Sequence, residues 1–391
     1  MRHAAIAIPG LDRIGGAERQ AMLLAGGLRN RGWRVTVIAL SGTGGASAAE
    51  LQNAGVSFFS LNMRKGLADP RGWVRLNRWL WRTRPDLIHA HLPHASWLAR
   101  WSRLAAPVPV VVDTLHSSST GRLGRKIGYL CSRWLPDHVT AVSQATAASH
   151  LAARMVGQDE LTVLENGIDL QEWRPDSGAR ARLRHGLAVA DEFLWLAVAR
   201  LDAVKDFPTL LAAMKRLPQN ARLAILGDGP LRGELVAMAG QLGIEHRVRF
   251  VGFETDVKRW MQAADGFVLA SRLEGLPMVL LEAGACALPA VATDVPGTRE
   301  VIVNGKTGFL ARAGDPAALA AGMTRLMTAP LSARHAIGAQ ARRHLLEHFS
   351  IECVLDRWDQ LYVELLNREP VSRWARLAAR KNLSRQSAAS A

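Results

Sequence analysis

A chain of 391 residues exceeds one ordinary domain, and two of roughly 150–200 residues each are the natural division. It is 49 % apolar, yet no apolar run reaches the roughly 18–20 residues that span a bilayer; three scattered cysteines, Cys131, Cys286 and Cys353, argue against a disulfide framework and suit a reducing cytoplasm. The formal net charge of +15 favours polyanionic partners, whether phosphates, an anionic membrane or nucleic acid.

Met1–Pro9 places one basic residue before a short apolar run and lacks the long apolar region and cleavage site of a signal peptide, so Ala4–Pro9 reads as a first β-strand. The next stretch, Gly10-Leu11-Asp12-Arg13-Ile14-Gly15-Gly16-Ala17-Glu18-Arg19, opens a helix over Glu18–Arg31. Its glycines let backbone approach a diphosphate or a sugar closely. It has neither the Lys-Ser/Thr of a P-loop nor the G-x-G-x-x-G dinucleotide fingerprint. Strands over Arg34–Leu40, Asp86–Ala90, Val108–Asp113 and His138–Val142 continue the alternation. Histidines gather at strand ends: His89, His91, His94 and, after the strongly apolar Val108–Asp113, His116. Imidazoles ligate metals, but no acid or cysteine set completes a site here.

Three stretches are basic and aromatic. Arg71–Arg84 carries Arg75, Arg78, Arg82, Trp73, Trp79 and Trp81 without one acid. Arg122, Arg125, Lys126 and Arg133 with Trp134 form the second, and Arg373, Trp374, Arg376, Arg380 and Lys381 the third. Arginine and tryptophan at helical spacing suit a helix lying on an anionic membrane. Arginine stems covering a core, or a nucleic-acid surface, are the other readings.

The charged, small-residue run Pro175–Arg180 reads as a linker, after which the rhythm restarts. Strands are expected over Phe193–Ala199, Arg222–Leu226, Val248–Val251, Gly266–Leu269 and Ala290–Thr293, with helices such as Pro208–Arg216 and Leu231–Leu242 between them and a last strong helix over Ile351–Leu366. Near-continuous apolar strands alternating with helices imply an α/β fold of two doubly wound parallel sheets, with ligands at the carboxyl ends of the strands.

The most informative run is Ser271-Arg272-Leu273-Glu274-Gly275-Leu276-Pro277-Met278-Val279-Leu280-Leu281-Glu282-Ala283. A strand enters a glycine-containing turn, and Pro277 stands where a first helical residue belongs. Free amides and the positive dipole end at the helix start suit a diphosphate, and the carboxylates Glu274 and Glu282 on either side suit adjacent hydroxyls of a sugar and a ribose. Each glutamate alone would read as a solvated charge; with Gly-Leu-Pro between them the functional reading prevails. Arg200 and Lys205 follow strand Phe193–Ala199 and suit a diphosphate's charge, ordinary loop charges being the other reading.

Glu274 and Glu282 make the E-x7-E spacing of retaining GT-B glycosyltransferases, and the chain resembles glycosyltransferase family 4 from about Ile8 to Leu366. Arg200-Leu201-Asp202-Ala203-Val204-Lys205-Asp206 resembles the family's phosphate-binding loop, Gly227-Asp228-Gly229-Pro230 its strand-end Gly-x-Gly-Pro, and Val251-Gly252-Phe253 a turn lining the nucleobase. Glu165-Asn166-Gly167-Ile168-Asp169 is similar to the domain-junction segment, with Glu165 where proline is frequent, and Glu300–Leu310 resembles the closing Glu-x-Ile-x2-Gly-x2-Gly-x-Leu. The resemblance places Gly15 and Gly16 beside the donor sugar and His116 near the reacting centre.

It implies two Rossmann-like domains facing across a cleft: an acceptor domain over 1–175, a donor domain over 176–349, the 351–366 helix crossing back onto the first, and a basic tail over 367–391. The implied activity is retaining transfer of a sugar from a nucleoside diphosphate sugar to a glycan or lipid-linked acceptor, in bacterial surface polysaccharide or glycolipid synthesis. Glu274, Lys205, Arg200 and His116 are the expected catalytic residues. The donor contacts are Gly15, Gly16, Arg200, Lys205, Gly227, Gly229, Gly252, Glu274, Gly275, Leu276, Pro277, Met278 and Glu282. No Asp-x-Asp occurs, so no obligatory metal is expected, and no other cofactor. Arg75, Arg78, Arg82 and Trp79 are assigned to the acceptor and membrane side, on the cytoplasmic face of the membrane, with no nucleic-acid partner. An epimerase or phosphorylase on a related scaffold, and a non-enzymatic basic binder, are the rival readings.

Overall fold

The computed structural model describes residues 1–12, 14–64, 69–121, 123–186 and 192–368. The described chain forms two compact units, one from Met1–Val142, Thr146–Leu164 and residues 355–368, the other from Ser143–Ala145 and Glu165–Val354. The segment from Glu165 through Pro175, read from the sequence with the first domain, thus belongs to the second.

The first unit alternates strands and helices: β1 His3–Ile8, α1 Gly16–Asn30, β2 Arg34–Ala39, α2 Gly45–Asn53, β3 Ser57–Ser60, α3 Pro70–Thr83, β4 Leu87–His91, α4 Pro93–Ser102, β5 Val110–Leu115, α5 Leu123–Ser132, β6 His138–Ala141, α6 Gln144–Ala152 and β7 Leu161–Val163. All pairings are parallel, in the order β3-β2-β1-β4-β5-β6-β7. Strand order reverses between β1 and β4, where Ala5 is level with Thr36 on one side and Ile88 on the other. One sheet face, through Ala5, Ala7, Ile38, Ile88 and Val111, packs on Leu76 and Leu80 of α3 and Ala95 and Ala99 of α4.

The second unit repeats the scheme with α7 Ser177–Gly186, β8 Phe193–Val198, α8 Phe207–Arg216, β9 Ala221–Leu226, α9 Arg232–Gln241, β10 Val248–Gly252, α10 Val257–Ala263, β11 Gly266–Leu269, α11 Met278–Ala285, β12 Ala290–Thr293, α12 Pro296–Arg299, β13 Gly308–Ala311, α13 Pro316–Thr328 and α14 Leu331–His348. Its parallel order, β10-β9-β8-β11-β12-β13, reverses between β8 and β11. Alternate residues Phe193, Trp195 and Ala197 of β8 face a core completed by Leu210 and Met214 of α8 and Leu319 and Met323 of α13.

Helix α15, Ile351–Asn367, rejoins the first unit at Leu355. A Cβ on Gly27 of α1 would meet the Leu355 side chain at 2.2 Å, so that glycine makes room for it. Trp33 donates its indole N–H to Asp359 at 2.6 Å, and the Tyr362 hydroxyl lies 2.6 Å from His89 Nδ1.

Three strands escaped sequence reading: β3, β7 and β13. Each ends its sheet and is only three or four residues long, too short to show a period against its flanks. The Pro175–Arg180 run is not a simple linker either, because α7 starts within it at Ser177. Arg180 and Arg184, one turn apart, both pair with Asp265, which anchors the helix through charge rather than through an apolar stripe.

Candidate active site

In a doubly wound sheet, loops at the carboxyl ends of the two strands flanking the reversal diverge to opposite faces and leave a crevice. In the second unit these loops follow β8 and β11. The β8 loop turns through a 3-10 segment, Ala203–Lys205, and ends at Asp206, whose φ of +48° is unusual for a residue with a Cβ. Three contacts stitch it to the β11 loop. The Arg272 amide donates to Val204 O at 2.8 Å, the Arg272 guanidinium donates to Asp206 Oδ2 at 2.8 Å, and Lys205 Nζ donates to Glu274 Oε1 at 2.7 Å. The Asp206 carboxylate is buried and also accepts from the Thr209 hydroxyl, so the left-handed turn is held on both sides.

The Lys205–Glu274 pair is largely shielded, the two side chains being 24 % and 8 % exposed. An ammonium and a carboxylate thus stand fixed where the crevice forms. Arg200 is different: its side chain is 73 % exposed and approaches Asp202 only at 4.0 Å, a solvated cation on the same loop. Gly275, Leu276, Pro277 and Met278 are buried and lead into α11. Pro277 occupies the position just before the helix, one place earlier than expected, and Met278 is its first residue. Glu282 lies half-buried in the second turn of α11.

The glycines of this edge answer first to the protein's own backbone. A Cβ on Gly227 would lie 2.0 Å from Ala199 O, and one on Gly229 would lie 2.4 Å from Leu201 O, so the β9 end is pressed against the β8 loop. Gly227 N–H also donates to Gly252 O at 2.7 Å, which joins β9 to the end of β10. Sequence reading missed a third close approach. A Cβ on Gly297 would lie 2.3 Å from Gly275 O and 2.7 Å from Glu274 O, so α12 backs directly onto the loop that carries Glu274. The Thr293 hydroxyl adds a hydrogen bond to Ser271 O, and Thr298 ties α12 to Thr293 O. The Pro296-Gly297 pair after an apolar strand was the available signal.

In the first unit the reversal lies between β1 and β4. Gly15 immediately precedes α1, Gly16 is its first residue, and both are exposed. Glu18 folds back so that Oε2 accepts the Gly15 amide at 3.1 Å, and burial raises its carboxyl above the usual range. His91 ends β4 and His116 follows β5; their Nδ1 and Nε2 atoms are 2.9 Å apart. Burial holds His116 down to about 4 and both His89 and His91 well below the usual imidazole range, so all three are neutral at pH 7. His89 has hydroxyls at both ring nitrogens, Tyr362 on Nδ1 and Thr114 on Nε2, and serves the packing of the unit. Among the described residues, His91 Nε2 is buried without a hydrogen-bond partner.

The basic helix α3 sorts its side chains by face. Trp79, grouped from the sequence with the exposed arginines, instead stacks on Phe59 at 5.9 Å and meets His3 edge-on, because its spacing from Leu76 and Leu80 turns it to the core. Arg78 and Arg82 are exposed, and Arg75 donates to Leu61 O at 2.6 Å. Arg122, the Arg125 side chain, Arg13 and the stretch with Arg373, Trp374, Arg376, Arg380 and Lys381 lie outside the described residues.

Residues 14–172 match the model of glycosyltransferase family 4, and residues 181–344 match that of the glycosyl transferases group 1. The glycogen synthase of Mycobacterium tuberculosis (strain ATCC 25618 / H37Rv) is 30 % identical over 299 residues, which span 72 % of this chain and 69 % of that protein. The lipopolysaccharide core biosynthesis glycosyltransferase LpsD of Rhizobium meliloti is 28 % identical over 89 % of this chain and 95 % of its own. Among solved structures, Anabaena HepE in complex with UDP and glucose superposes with a TM-score of 0.84 at 22 % identity, over 93 % of this chain and 100 % of that one. The two reversed parallel sheets and these matches agree: the chain belongs to the group 1, family 4 glycosyltransferases and has their two-domain GT-B fold.

Proposed function

We propose that the chain transfers a sugar, with retention and without an obligatory metal, from a nucleoside diphosphate sugar to a glycan or lipid-linked acceptor. The observation that carries this reading is the Lys205–Glu274 pair at the sheet reversal of the second unit, with Arg200 on the same loop and Glu282 in the following helix. In this reading Glu274 holds sugar hydroxyls, Glu282 the ribose, and Lys205 with Arg200 the diphosphate. As the bond from the anomeric carbon to phosphate oxygen breaks, its electron pair leaves with the diphosphate. The acceptor oxygen bonds to that carbon on the same face, and its proton passes to a departing phosphate oxygen. The protein's contribution is position and fixed charge: cations held before the reaction need no reorganisation as charge gathers on the leaving group. The absent Asp-x-Asp supports the metal-free assignment, because no such carboxylate pair is available to hold a divalent cation over the diphosphate.

HepE bound to UDP and glucose supports a nucleotide-sugar donor, and LpsD, a lipopolysaccharide core biosynthesis glycosyltransferase, supports a surface-glycan setting. The test is a panel of nucleoside diphosphate sugars in the presence of chelator, scored by ligand-induced thermal shift and by slow donor hydrolysis. One or a few donors should stabilise the protein and be hydrolysed, with the anomeric configuration retained in the released or transferred sugar. An inverted product, or loss of all activity to chelator with recovery on adding metal, would overturn the retaining and metal-free assignments respectively.

A further inference from the structure

We propose that the outer face of α3, α4 and α5 is a docking surface for an anionic lipid bilayer, which deepens the proposed function by naming the part of the first unit that meets the membrane. Six large apolar side chains stand exposed there: Trp81, Trp97, Trp101, Leu104, Ile127 and Leu130, between 38 % and 53 % accessible. They belong to one continuous patch. The Trp97 ring lies against Gly128 of α5, where a Cβ would come within 1.8 Å of it, and the Trp81 indole N–H donates to Ala105 O at 2.8 Å just beyond α4. Trp97 and Trp101, four residues apart, share one side of α4. Only single apolar residues scattered over a surface need no explanation, and this cluster is not scattered.

The charge around the patch selects the partner. Between Pro70 and Asp137 the only acids are Asp86, Asp113 and Asp137, and each is engaged elsewhere. Asp86 accepts the His3 amide, Asp113 is buried against Arg100, and Asp137 is paired with Arg103. The exposed Arg75, Arg78 and Arg82 of α3 therefore lie beside Trp81 with no carboxylate between them in the chain, the nearest acid on this helix being its N-cap Asp69, which accepts the Arg71 amide. A second copy of this face would bring arginine against arginine. Phosphate headgroups above an apolar layer match both halves, since indoles settle at that boundary and basic side chains reach the headgroups.

The test uses the full chain and sedimentation with phosphatidylglycerol-rich or pure phosphatidylcholine vesicles. The parent should prefer the anionic vesicles, with part of the binding resistant to salt. A Trp101→Ser, Leu104→Ser, Ile127→Ser variant should bind roughly tenfold less and lose its salt-resistant part. Arg78→Gln with Arg82→Gln should erase the preference for anionic lipid. These side chains are exposed, so melting temperatures should stay close to the parent's. Donor hydrolysis in solution should also persist, and its loss in the parent would count against the proposed function while leaving the docking surface standing. Equal binding of parent and triple variant overturns the proposal, as does a concentration-dependent dimer that the triple variant alone abolishes.

Discussion

Lys205 and Glu274, 69 residues apart in the chain, meet at 2.7 Å between Nζ and Oε1 across the two loops that flank the sheet reversal of the second unit. The carboxylate is the more deeply buried partner, and each group offsets part of the other's loss of water. Lys205→Ala should therefore destabilise the second unit by about 1–3 kcal/mol, less than a fully buried pair would cost because the ammonium is partly exposed. Adding Glu274→Gln should cost less than the sum of the single changes, with a coupling of about 1 kcal/mol or more in urea unfolding. Strict additivity would mean the two side chains do not share an energy term. Turnover in Lys205→Ala should fall by about 10²–10³-fold if the ammonium neutralises the leaving diphosphate.

The two glutamates should separate by phenotype. Glu282→Ala is expected to weaken binding of the free nucleoside diphosphate by roughly tenfold or more, the effect of one lost charged hydrogen bond to the ribose. Glu274→Ala should spare that affinity and cut sugar transfer. Calorimetric titration with the nucleoside diphosphate decides it, and equal losses in both variants would dissolve the division of roles.

Much of this geometry was legible in the sequence, and the rest was hidden for specific reasons. Inner strands such as β8 and β11 are continuous apolar runs buried on both faces, so their positions stand out. The outermost β3 is Ser-Phe-Phe-Ser with half-buried residues, and nothing in so short a run separates strand from loop. Trp79 and Trp81 differ by two residues and by almost opposite helix faces, a distinction that counting from Leu76 and Leu80 could have made. The Lys205–Glu274 contact and the Gly297 approach to Gly275 join different loops, and only strand order brings them together. Composition alone carries no strand order.

A further expectation concerns proton placement on the histidine pair. A buried N–H without an acceptor costs more than a buried lone pair without a donor, so His91 should carry its proton on Nδ1 and leave Nε2 bare. His91 then donates to His116 Nε2, and the His116 proton sits on Nδ1, making His116 a donor toward a ligand hydroxyl rather than a base. His91→Asn, whose amide reaches the Nδ1 position, should keep most activity; His91→Gln, whose amide reaches toward Nε2, should lose about tenfold or more. Nitrogen-15 shifts of His116 report the tautomer directly, and a proton found on Nε2 would refute the assignment.

The buried imidazoles also set the response of the first unit to acid. His89, His91 and His116 are held neutral in the folded state by burial, His116 down to about 4, whereas each regains an ordinary value near 6.5 on unfolding. Between those values the unfolded chain binds more protons than the folded one, so stability rises with pH. Their contribution is complete above about pH 6.5 and is lost as pH falls toward the folded values. Each fully depressed histidine contributes a slope approaching about 1.4 kcal/mol per pH unit in that window. His3, His138 and His150 of the same unit are lowered by burial as well and act in the same direction. From pH 6.5 to 5.5 ordinary carboxylates scarcely titrate, while the Glu18 and Asp113 carboxyls of this unit, raised by burial, act in the opposite sense to the imidazoles. Hydrogen exchange read by mass spectrometry should show protection of β4, β5 and α15 falling across that range by several kcal/mol, while β8 and β9 change far less, their unit holding His344 as its lowered imidazole among the described residues. Constant or rising protection of β4 on acidification would mean that these imidazoles accept protons in the folded state.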